Sequence, residues 1–406
     1  MSCLLALILA SFGAGAAQTP VTGAAAATDD EFRAVWICYS DFEKSAGMNE
    51  SDFTQYIRNM FDNVVALNMN TVVVHVRPFA DAMYPSEYFP WSKYASGKQG
   101  VDPGYDPLKI MIREAHARSL KFHAWLNPYR VSNGSDVKAL SKDNKARKYL
   151  TNSSKKDDRY VLTIGGKMYY NPSIGKNIDL IVNGIAEIVE NYDVDGIHFD
   201  DYFYPDMGSK NYEKAFDAPE YNSYASKLKA KGKTPASISD WRRSNTSILV
   251  SEVYETIKDI KPNVVFGISP AGAYTQLDDD FRYCINYHLW LSEPGYIDYI
   301  CPQVYWSFNS QNIFPYYETC QYWAKEAKDS HVKLYIGVPA YKMNTNTPVR
   351  YAGTGYDSEW YNQFTLAEMI RRGRTVEGVE GFCFFDYKDM VDERNSSAVK
   401  WLKETW

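Results

Sequence analysis

The segment DGIHFDDYFYP, residues 195–205, is the stretch of this chain that decides the fold. It begins as a short apolar strand, ends in the adjacent carboxylates Asp200 and Asp201, and continues into an aromatic loop that Pro205 closes. Proteins built from alternating strands and helices place their functional groups at the carboxyl ends of the strands. The segment therefore predicts a parallel strand of an α/β protein, with a candidate site where that strand ends.

The chain on both sides of this segment alternates between strand-like and helix-like stretches. Eight such units predict a (β/α)8 barrel of the TIM type, and a doubly wound open sheet is the alternative. The Gly-rich first turn that such a sheet usually carries is missing here, which favours the barrel. Besides the strand of the quoted segment, the predicted strands lie at residues 33–39, 71–77, 121–127, 264–270, 297–306, 334–339 and 381–386.

Two polar insertions interrupt the alternation, one after strand three and one after strand four. The first covers residues 131–176 and includes a predicted hairpin around Gly165 and Gly166. The second covers residues 206–236. We therefore expect a barrel with extra loops on the face where the strands end.

The composition favours one large domain that follows an export signal. Of the 406 residues, 45% are hydrophobic, which is ample for the core of a single domain at residues 31–406. Residues 1–17 are apolar and small, as in a signal peptide, although no Lys or Arg precedes Arg33. Residues 18–30 are rich in Ala, Thr and Asp and predict a flexible leader. We expect an exported protein, in the periplasm, the cell envelope or the medium.

Charge, hydropathy and cysteine spacing exclude several classes of protein. The net charge of -6 offers no basic surface to nucleic acid. No segment after the signal has the 18 uncharged apolar residues of a membrane span. Once Cys3 leaves with the signal, the five remaining cysteines fit neither a metal site nor a disulfide framework, and Cys284 with Cys320 remains a candidate pair. We expect no metal and no cofactor.

Polar side chains lie where the predicted strands end. Because these ends meet on one face of a barrel, the polar residues should share one site. Side-chain alternation also turns three histidines towards the barrel interior, where a structural role is more frequent than metal binding. The predicted substrate contacts are Arg77, Asp81, His123, Trp125, Asn127, His198, Tyr202, Ser269, Gln303, Tyr305, Trp306 and Asp386.

The adjacent carboxylates Asp200 and Asp201 are the candidate catalytic groups. Sugar hydrolysis requires two carboxyl groups, one to protonate the leaving oxygen and one to stabilise positive charge or activate water. Mutual repulsion would raise the pKa of one carboxyl, which suits an acid. Both can reach a site only where the strand ends, and which of them is the acid stays open. A helix cap or an ion pair with a structural arginine is the alternative for either residue.

Several further segments together resemble glycosyl-hydrolase-like family 10, a group of exported bacterial proteins with a TIM-type barrel. The group includes the division-site peptidoglycan glycan hydrolase of enterobacteria. Each segment alone is weakly specific, but together they cover roughly residues 32–390. Besides the quoted strand, the matching segments include RAVW at 33–36, VRP at 76–78, HAWLNP at 123–128, WRRSN at 241–245, FGISP at 266–270 and DYICPQVYW at 298–306.

The resemblance implies a glycoside hydrolase that acts on bacterial cell-wall glycan or a related polysaccharide. The best-understood relative is similar in cleaving glycan strands that have lost their peptides. The quoted strand also resembles the chitinase pattern, but His198 replaces its second Asp and Tyr202 stands where its catalytic Glu would be. A glycan-binding protein on an enzyme-derived barrel is therefore the alternative, and a metal-dependent hydrolase that uses the histidines is a third hypothesis.

Overall fold

Eight parallel strands close into a barrel in the computed structural model, which describes residues 30–308, 315–345, 347–348 and 356–406. Each strand pairs with its neighbours in chain order, and the first strand closes the ring against the last one. The predicted (β/α)8 barrel is thereby confirmed. The barrel strands are β1 (Phe32–Ile37), β2 (Thr71–Arg77), β3 (Lys121–Leu126), β4 (Gly196–Phe199), β5 (Val265–Ile268), β6 (Tyr299–Ile300), β7 (Lys333–Pro339) and β8 (Val379–Phe385).

One main helix follows each strand and packs on the outside of the barrel. They are α1 (Glu50–Ala66), α2 (Pro107–His116), α3 (Gly175–Asn191), α4 (Ile238–Ile260), α5 (Tyr287–Ser292), α6 (Tyr316–Ala327), α7 (Thr365–Arg374) and α8 (Ser396–Lys403). Further helices lie in the connecting loops at Lys93–Ser96, Lys145–Thr151, Ala218–Ala230, Tyr274–Leu277 and Tyr387–Met390. Among the described residues, no helix is both long and apolar enough to cross a membrane.

The start of α2 shows how local sequence determines these helices. Asp106 accepts a hydrogen bond from the backbone N–H of Lys109 over 3.0 Å, and Pro107 occupies the first turn. A capping carboxylate and an early proline both satisfy a helix start that has no partners of its own. Leu108, Met111 and other apolar residues of α2 are then buried on the face that packs towards the barrel.

The sixth strand is much shorter than the sequence predicts. Residues 297–306 carry a β-branched and aromatic pattern, but β6 covers Tyr299 and Ile300 only. Pro302 lacks the N–H that a ladder requires, so regular pairing stops before it. Gln303 still forms isolated bridges to Ala271 and Gly337, which hold the chain in line with the barrel.

The insertion after β3 forms a small antiparallel sheet. Val161–Ile164 and Lys167–Tyr170 make the predicted hairpin, and Gly165 and Gly166 have φ values of 55° and 73°. Two successive positive φ values are those of a type I′ turn, which glycine adopts without strain. A third strand, Arg130–Ser132, pairs with the second and was not predicted. The sheet follows β3 directly, so it rises from the face of the barrel where the strands end.

The barrel interior is packed with large and small side chains that alternate. Trp36, Trp125 and Tyr299 belong to one buried cluster there. Gly267 makes room for the ring of Tyr299, because a Cβ on that glycine would lie 2.0 Å from the ring. A side chain at position 267 would therefore displace the tyrosine from the centre of the barrel.

A closed hydrogen-bond network ties this interior together. Trp36 donates its indole N–H to Nε2 of His198 over 3.1 Å, so the proton of neutral His198 is on Nδ1. That Nδ1 donates to the hydroxyl oxygen of Tyr299 over 2.8 Å, and the hydroxyl donates to Nδ1 of His123 over 3.0 Å. Burial lowers the pKa of His123 to about 4 and lowers the pKa of His198 well below its ordinary value. Both histidines are therefore neutral members of the core.

Candidate active site

A cavity of about 400 Å³ opens at the carboxyl ends of the strands. Asp200 and Asp201 line it together, directly after β4 ends at Phe199. The loss of strand geometry at this point lets two successive side chains face the same space. The other predicted site residues that line the cavity are Trp125, Tyr202, Ser269, Gln303, Tyr305 and Asp386.

Asp200 is held in place from two sides. Trp125 donates its indole N–H to Oδ2 over 3.2 Å, and the backbone N–H of Tyr202 donates to Oδ1 over 3.1 Å. Burial raises the pKa of Asp200 well above its ordinary value, and the charge of Asp201 raises it further. Asp200 therefore holds a proton at a pH where ordinary carboxyl groups have lost theirs, as a general acid must.

Asp201 has a more polar environment than its neighbour. Burial raises the pKa of Asp201 to about 6, while its own backbone, Arg130 and Gln303 act in the opposite direction. Gln303 is itself fixed, because it donates to the carbonyl oxygen of Ser269 over 3.0 Å. The two carboxyl groups interact and therefore titrate as a pair, with both pKa values raised above the ordinary value by burial.

Asp386 lies across the cavity from these two residues. It follows β8, which is four strands away from β4 in the closed ring and hence opposite to it. Lys388 places its ammonium 3.1 Å from Oδ2 of Asp386. Burial also raises the pKa of the nearby carboxyls of Asp41 and Asp389 to about 7. The cavity thus carries carboxyl groups on two facing walls, and Lys388 balances one of them.

One group of side chains beside Asp386 has the spacing of metal ligands. Single ligand atoms of Cys38, Asp41 and Asp386 lie within 4.8 Å of one another, and all three residues are buried. Burial raises the pKa of the Cys38 thiol well above its ordinary value. The ammonium of Lys388 already neutralises Asp386. The ammonium of Lys388 therefore already supplies a positive charge at this group of side chains.

Aromatic rings form much of the remaining wall. Trp125 stacks on His75 at a centroid distance of 3.7 Å and an angle of 7°, so its position is rigid. Tyr202 is 41% exposed at the rim, although burial of its hydroxyl end raises the pKa of the phenol. Tyr305 lies against Phe385, with the ring centroids 5.9 Å apart. Flat aromatic walls around carboxylates provide apolar surface for the faces of a ring-shaped ligand.

Six predicted contacts lie outside the cavity lining, and three of them lie at the end of β2 or in the loops after β2 and β3. Arg77 is fully buried with its guanidinium carbon 4.5 Å from the ring of Phe89. Asp81 accepts a hydrogen bond from Gln99 over 2.8 Å, and Asn127 donates to the carbonyl oxygen of Pro78 over 3.0 Å. These bonds connect the loops that follow β2 and β3.

The other three residues belong to the core. His123 and His198 lie in the network around Tyr299 below the cavity. Trp306 turns away and donates its indole N–H to the hydroxyl of Thr319 over 3.1 Å. The sequence identified the correct face of the barrel, but it did not distinguish the layer that lines the cavity from the layer beneath it.

Several residues that line the cavity were missing from the predicted site. Cys38, Tyr39 and Ser40 follow β1, and the rule that located polar residues at the other strand ends would have included them. Arg130 and Lys388 lie a few residues beyond β3 and β8. No sequence signal places these two residues inside the cavity, because their direction depends on how the inserted sheet and the short helix Tyr387–Met390 return to the barrel.

Comparison with known families and structures agrees with this architecture. Residues 31–352 match the family model described as glycosyl hydrolase-like 10. The chain belongs to this family. The match covers more than half of the 406 residues. Family membership, together with the barrel, makes the chain a glycoside hydrolase, which the sequence had predicted.

Two relatives that are named as glycosyl hydrolases are similar along most of their length. The glycosyl hydrolase YngK of Bacillus subtilis is 39% identical over 395 residues, which cover 92% of this chain and 71% of YngK. The glycosyl hydrolase DigH of Escherichia coli is 33% identical over 368 residues, which cover 87% of this chain and 80% of DigH. Both percentages are high enough for a shared fold and family, so the family assignment has two independent supports.

A solved structure shares the fold at much lower sequence identity. The glycoside hydrolase domain of PgaB (BpsB) from Bordetella bronchiseptica superposes with a TM-score of 0.60 and 12% identity. The alignment covers 92% of this chain and 98% of that domain. At this identity the likeness supports the barrel alone.

Proposed function

We propose that this member of the glycosyl hydrolase-like 10 family hydrolyses O-glycosidic bonds in a bacterial cell-wall glycan, with peptidoglycan strands as the substrate. The observation that carries the proposal is the placement of Asp200 and Asp201 in one cavity, with Asp386 on the facing wall. Hydrolysis of a glycoside needs a proton for the leaving oxygen and a carboxylate that stabilises the sugar cation or activates water. The cavity offers both groups.

Asp200 takes the role of the acid. Its raised pKa keeps the proton available, and Trp125 and Tyr202 fix the direction of the carboxyl group. Asp201 raises the pKa of its neighbour and contacts the substrate. As the glycosidic C–O bond breaks, the leaving oxygen takes the proton of Asp200, and water adds to the anomeric carbon and loses a proton to a carboxylate.

We also propose that the protein acts outside the cytoplasm. The apolar residues 4–10 and the small residues that follow them support a signal peptide, with cleavage near Ala16 or Ala17. A cell-wall glycan is then accessible to the mature protein. Fractionation of host cells, with mass spectrometry of the N-terminus of the protein in each fraction, tests this point, and protein found only in the cytoplasm with an intact Met1 would contradict it.

The decisive experiment for the activity is mass spectrometry of the products from peptidoglycan glycan strands that carry no peptides. The native protein should release short saccharides, and the Asp200→Asn/Asp201→Asn double variant should release none. Asp193→Asn is the matched control, since Asp193 is exposed on the surface outside the cavity. Thermal unfolding of each variant establishes that it is folded.

Two outcomes would contradict the proposal. Equal product from a folded double variant would remove Asp200 and Asp201 from the chemistry. Tight binding of the strands without any product from the native protein would favour the alternative, a glycan-binding protein on an enzyme-derived barrel.

A further inference from the structure

Arg130 is a cation of the cavity wall that the mechanism above does not use. It is the first residue of the third strand in the inserted sheet, where it pairs with Tyr169. The neighbouring Tyr129 accepts a backbone hydrogen bond from Tyr170 over 2.8 Å, which fixes the chain on that side. Arg130 is 6% exposed and lines the cavity together with Asp200 and Asp201. A sheet, and not a mobile loop, therefore holds its side chain at the site.

Aromatic rings cover the plane of the guanidinium. Its central carbon lies 4.1 Å from the ring centroid of Tyr202 and 5.0 Å from that of Phe79. One N–H donates to Oδ1 of Asn133 over 2.5 Å. Stacking on rings pre-organises the planar fork of an arginine, so its remaining N–H groups can bond only in that plane.

The charge of Arg130 acts on Asp200 and Asp201 within the cavity, but no carboxylate forms a direct ion pair with it among the described residues. Among the side chains that the structure describes, no carboxylate lies within the 4.0 Å of an ion pair with it, and the bond to Asn133 is its single side-chain hydrogen bond. Lys388, the other cation of the cavity, is already paired with Asp386. Burying an unpaired charge costs several kcal/mol, a cost that proteins tolerate where a ligand supplies the counterion.

We propose that Arg130 binds a carboxylate group of the sugar substrate through paired N–H···O bonds. The inference rests on the proposed function and names the chemistry that this site selects: a glycan with a carboxylate on the sugar that lies in the cavity. In peptidoglycan the matching group is the lactyl carboxylate of a muramic acid residue that has lost its peptide. An attached peptide converts this carboxylate into a neutral amide, which cannot form the charged pair.

The position and the charge of Arg130 both support the binding of a carboxylate. A guanidinium fork matches a carboxylate in a bidentate geometry, and hydrogen bonds between charged partners are the strongest of their class. A neutral sugar hydroxyl would leave Arg130 without a charged partner at ion-pair distance. Uronic acids carry the same group, so the experiment includes them as a second source of the carboxylate.

The test compares affinity and cleavage for matched pairs of glycans. One probe is the peptide-free disaccharide of N-acetylglucosamine and N-acetylmuramic acid, and the second is the same disaccharide with its lactyl carboxylate coupled to methylamine. An oligosaccharide of uronic acid is the third probe. Binding to the native protein is measured by calorimetry, and cleavage is measured on peptide-free strands before and after the same coupling.

The native protein should prefer the free acid over the amide by between about 10-fold and 100-fold in Kd and in kcat/KM. Arg130→Met should reduce the ratio between the free acid and the amide to about one, in Kd and in kcat/KM, whatever the variant does to the cleavage of the amide itself. Arg130→Lys should restore part of the preference, because an ammonium retains the charge without the fork. Arg113→Met is the control, since Arg113 is half exposed on α2 and far from the cavity lining.

The outcomes separate this inference from the proposed function. Equal cleavage of free-acid and amide strands would overturn the role of Arg130 and leave the proposed function intact. An equal loss on both strands in Arg130→Met would also overturn it, because a purely structural role has that signature. Preferred binding of the acid without cleavage would support Arg130 and refute the hydrolase function. Tighter binding of the uronic acid would still support carboxylate recognition by Arg130, but the sugar that carries the carboxylate would then be a uronic acid and not muramic acid.

Discussion

The interior of the barrel and its mouth both bury polar residues, but they differ in how far the protein itself satisfies those residues. In the interior, Trp36, His198, Tyr299 and His123 form a chain in which each hydrogen bond fixes the next. At the mouth, carboxyl groups and arginine share one cavity, and Arg130 has no ion pair among the described side chains. The interior network therefore stabilises the fold, while the mouth keeps polar groups available to a ligand.

This difference explains why a buried polar residue by itself indicates no function. His198 is two residues before Asp200 on the same strand, and both are buried. Every polar atom of the His198 ring has a partner within the protein, so nothing remains for a substrate. Asp200 also accepts two hydrogen bonds, but burial and Asp201 raise its pKa, which stores a transferable proton.

The largest effect should come from Asp200→Asn. Without the proton donor, we expect kcat on peptide-free glycan strands to fall by about 10²- to 10⁴-fold. The amide of asparagine occupies the same volume as the carboxyl group of Asp200. Because burial opposes ionisation of that carboxyl group, its removal should not lower the free energy of unfolding at pH 7. Product analysis and urea unfolding measure the two quantities.

Asp193→Asn is the control for that variant, because Asp193 is exposed and outside the cavity lining. A folded Asp200→Asn protein with native kcat would show that the acid is a different residue. Asp386, on the facing wall, would then be the next carboxyl group to test.

Tyr299→Phe should have the opposite profile. It removes the hydroxyl that connects His198 with His123 and leaves a buried donor and a buried acceptor without partners. We expect the free energy of unfolding to fall by about 2–4 kcal/mol. The kcat of the molecules that remain folded should stay within about threefold of native, since stability and not chemistry depends on this network. A selective loss of kcat at native stability would contradict the comparison.

Asp41→Asn should produce a smaller and pH-dependent gain in stability. The pKa of Asp41 in the folded protein is about 7, raised chiefly by burial, whereas the unfolded chain has the ordinary value of 3.8. The folded state therefore binds the extra proton, and stability falls as the pH rises from about 4 to about 7. Compared with native, the free energy of unfolding of the variant should be nearly unchanged at pH 4 and higher at pH 8, by at most about 4 kcal/mol, the value that the difference between the two pKa values allows.

Urea unfolding at pH 4, 6 and 8 measures this difference. The amide oxygen can still accept the hydrogen bond that the backbone N–H of Cys38 donates to Oδ2 of Asp41. A difference that is constant across the three pH values would show that Asp41 does not titrate in this range.

The smallest effect concerns the cysteines. All five cysteines of the described residues are free and buried, so Cys284 and Cys320 form no disulfide. A reducing agent should therefore change the midpoint of thermal unfolding by less than about 1 °C, because no cross-link restrains the unfolded chain. A clear drop under reduction would mean that a disulfide forms in the isolated protein.

The fold was predictable because its signals are local and repeated. The apolar strands, the apolar faces of the helices and the helix caps such as Asp106 each depend on a few neighbouring residues. Because the strand–helix unit occurs eight times, an error in one unit does not change the predicted fold. The face of the site was predictable as well, since parallel strands bring their carboxyl ends together. Where pairing depended on distant residues, as in β6 and the strand that begins at Arg130, the prediction was too long or absent.

The sequence by itself thus determined the barrel, the family and the position of Asp200 and Asp201 at a strand end. The tertiary structure alone decided which polar residues face the cavity and which form their hydrogen bonds within the core. His123, His198 and Arg130 illustrate the reason: the direction and the partners of a side chain depend on residues far away in sequence, such as Tyr299 and Tyr202. Hydrogen bonds and burial in the folded barrel, and not local sequence, separate the residues that hold the structure from those that contact a substrate.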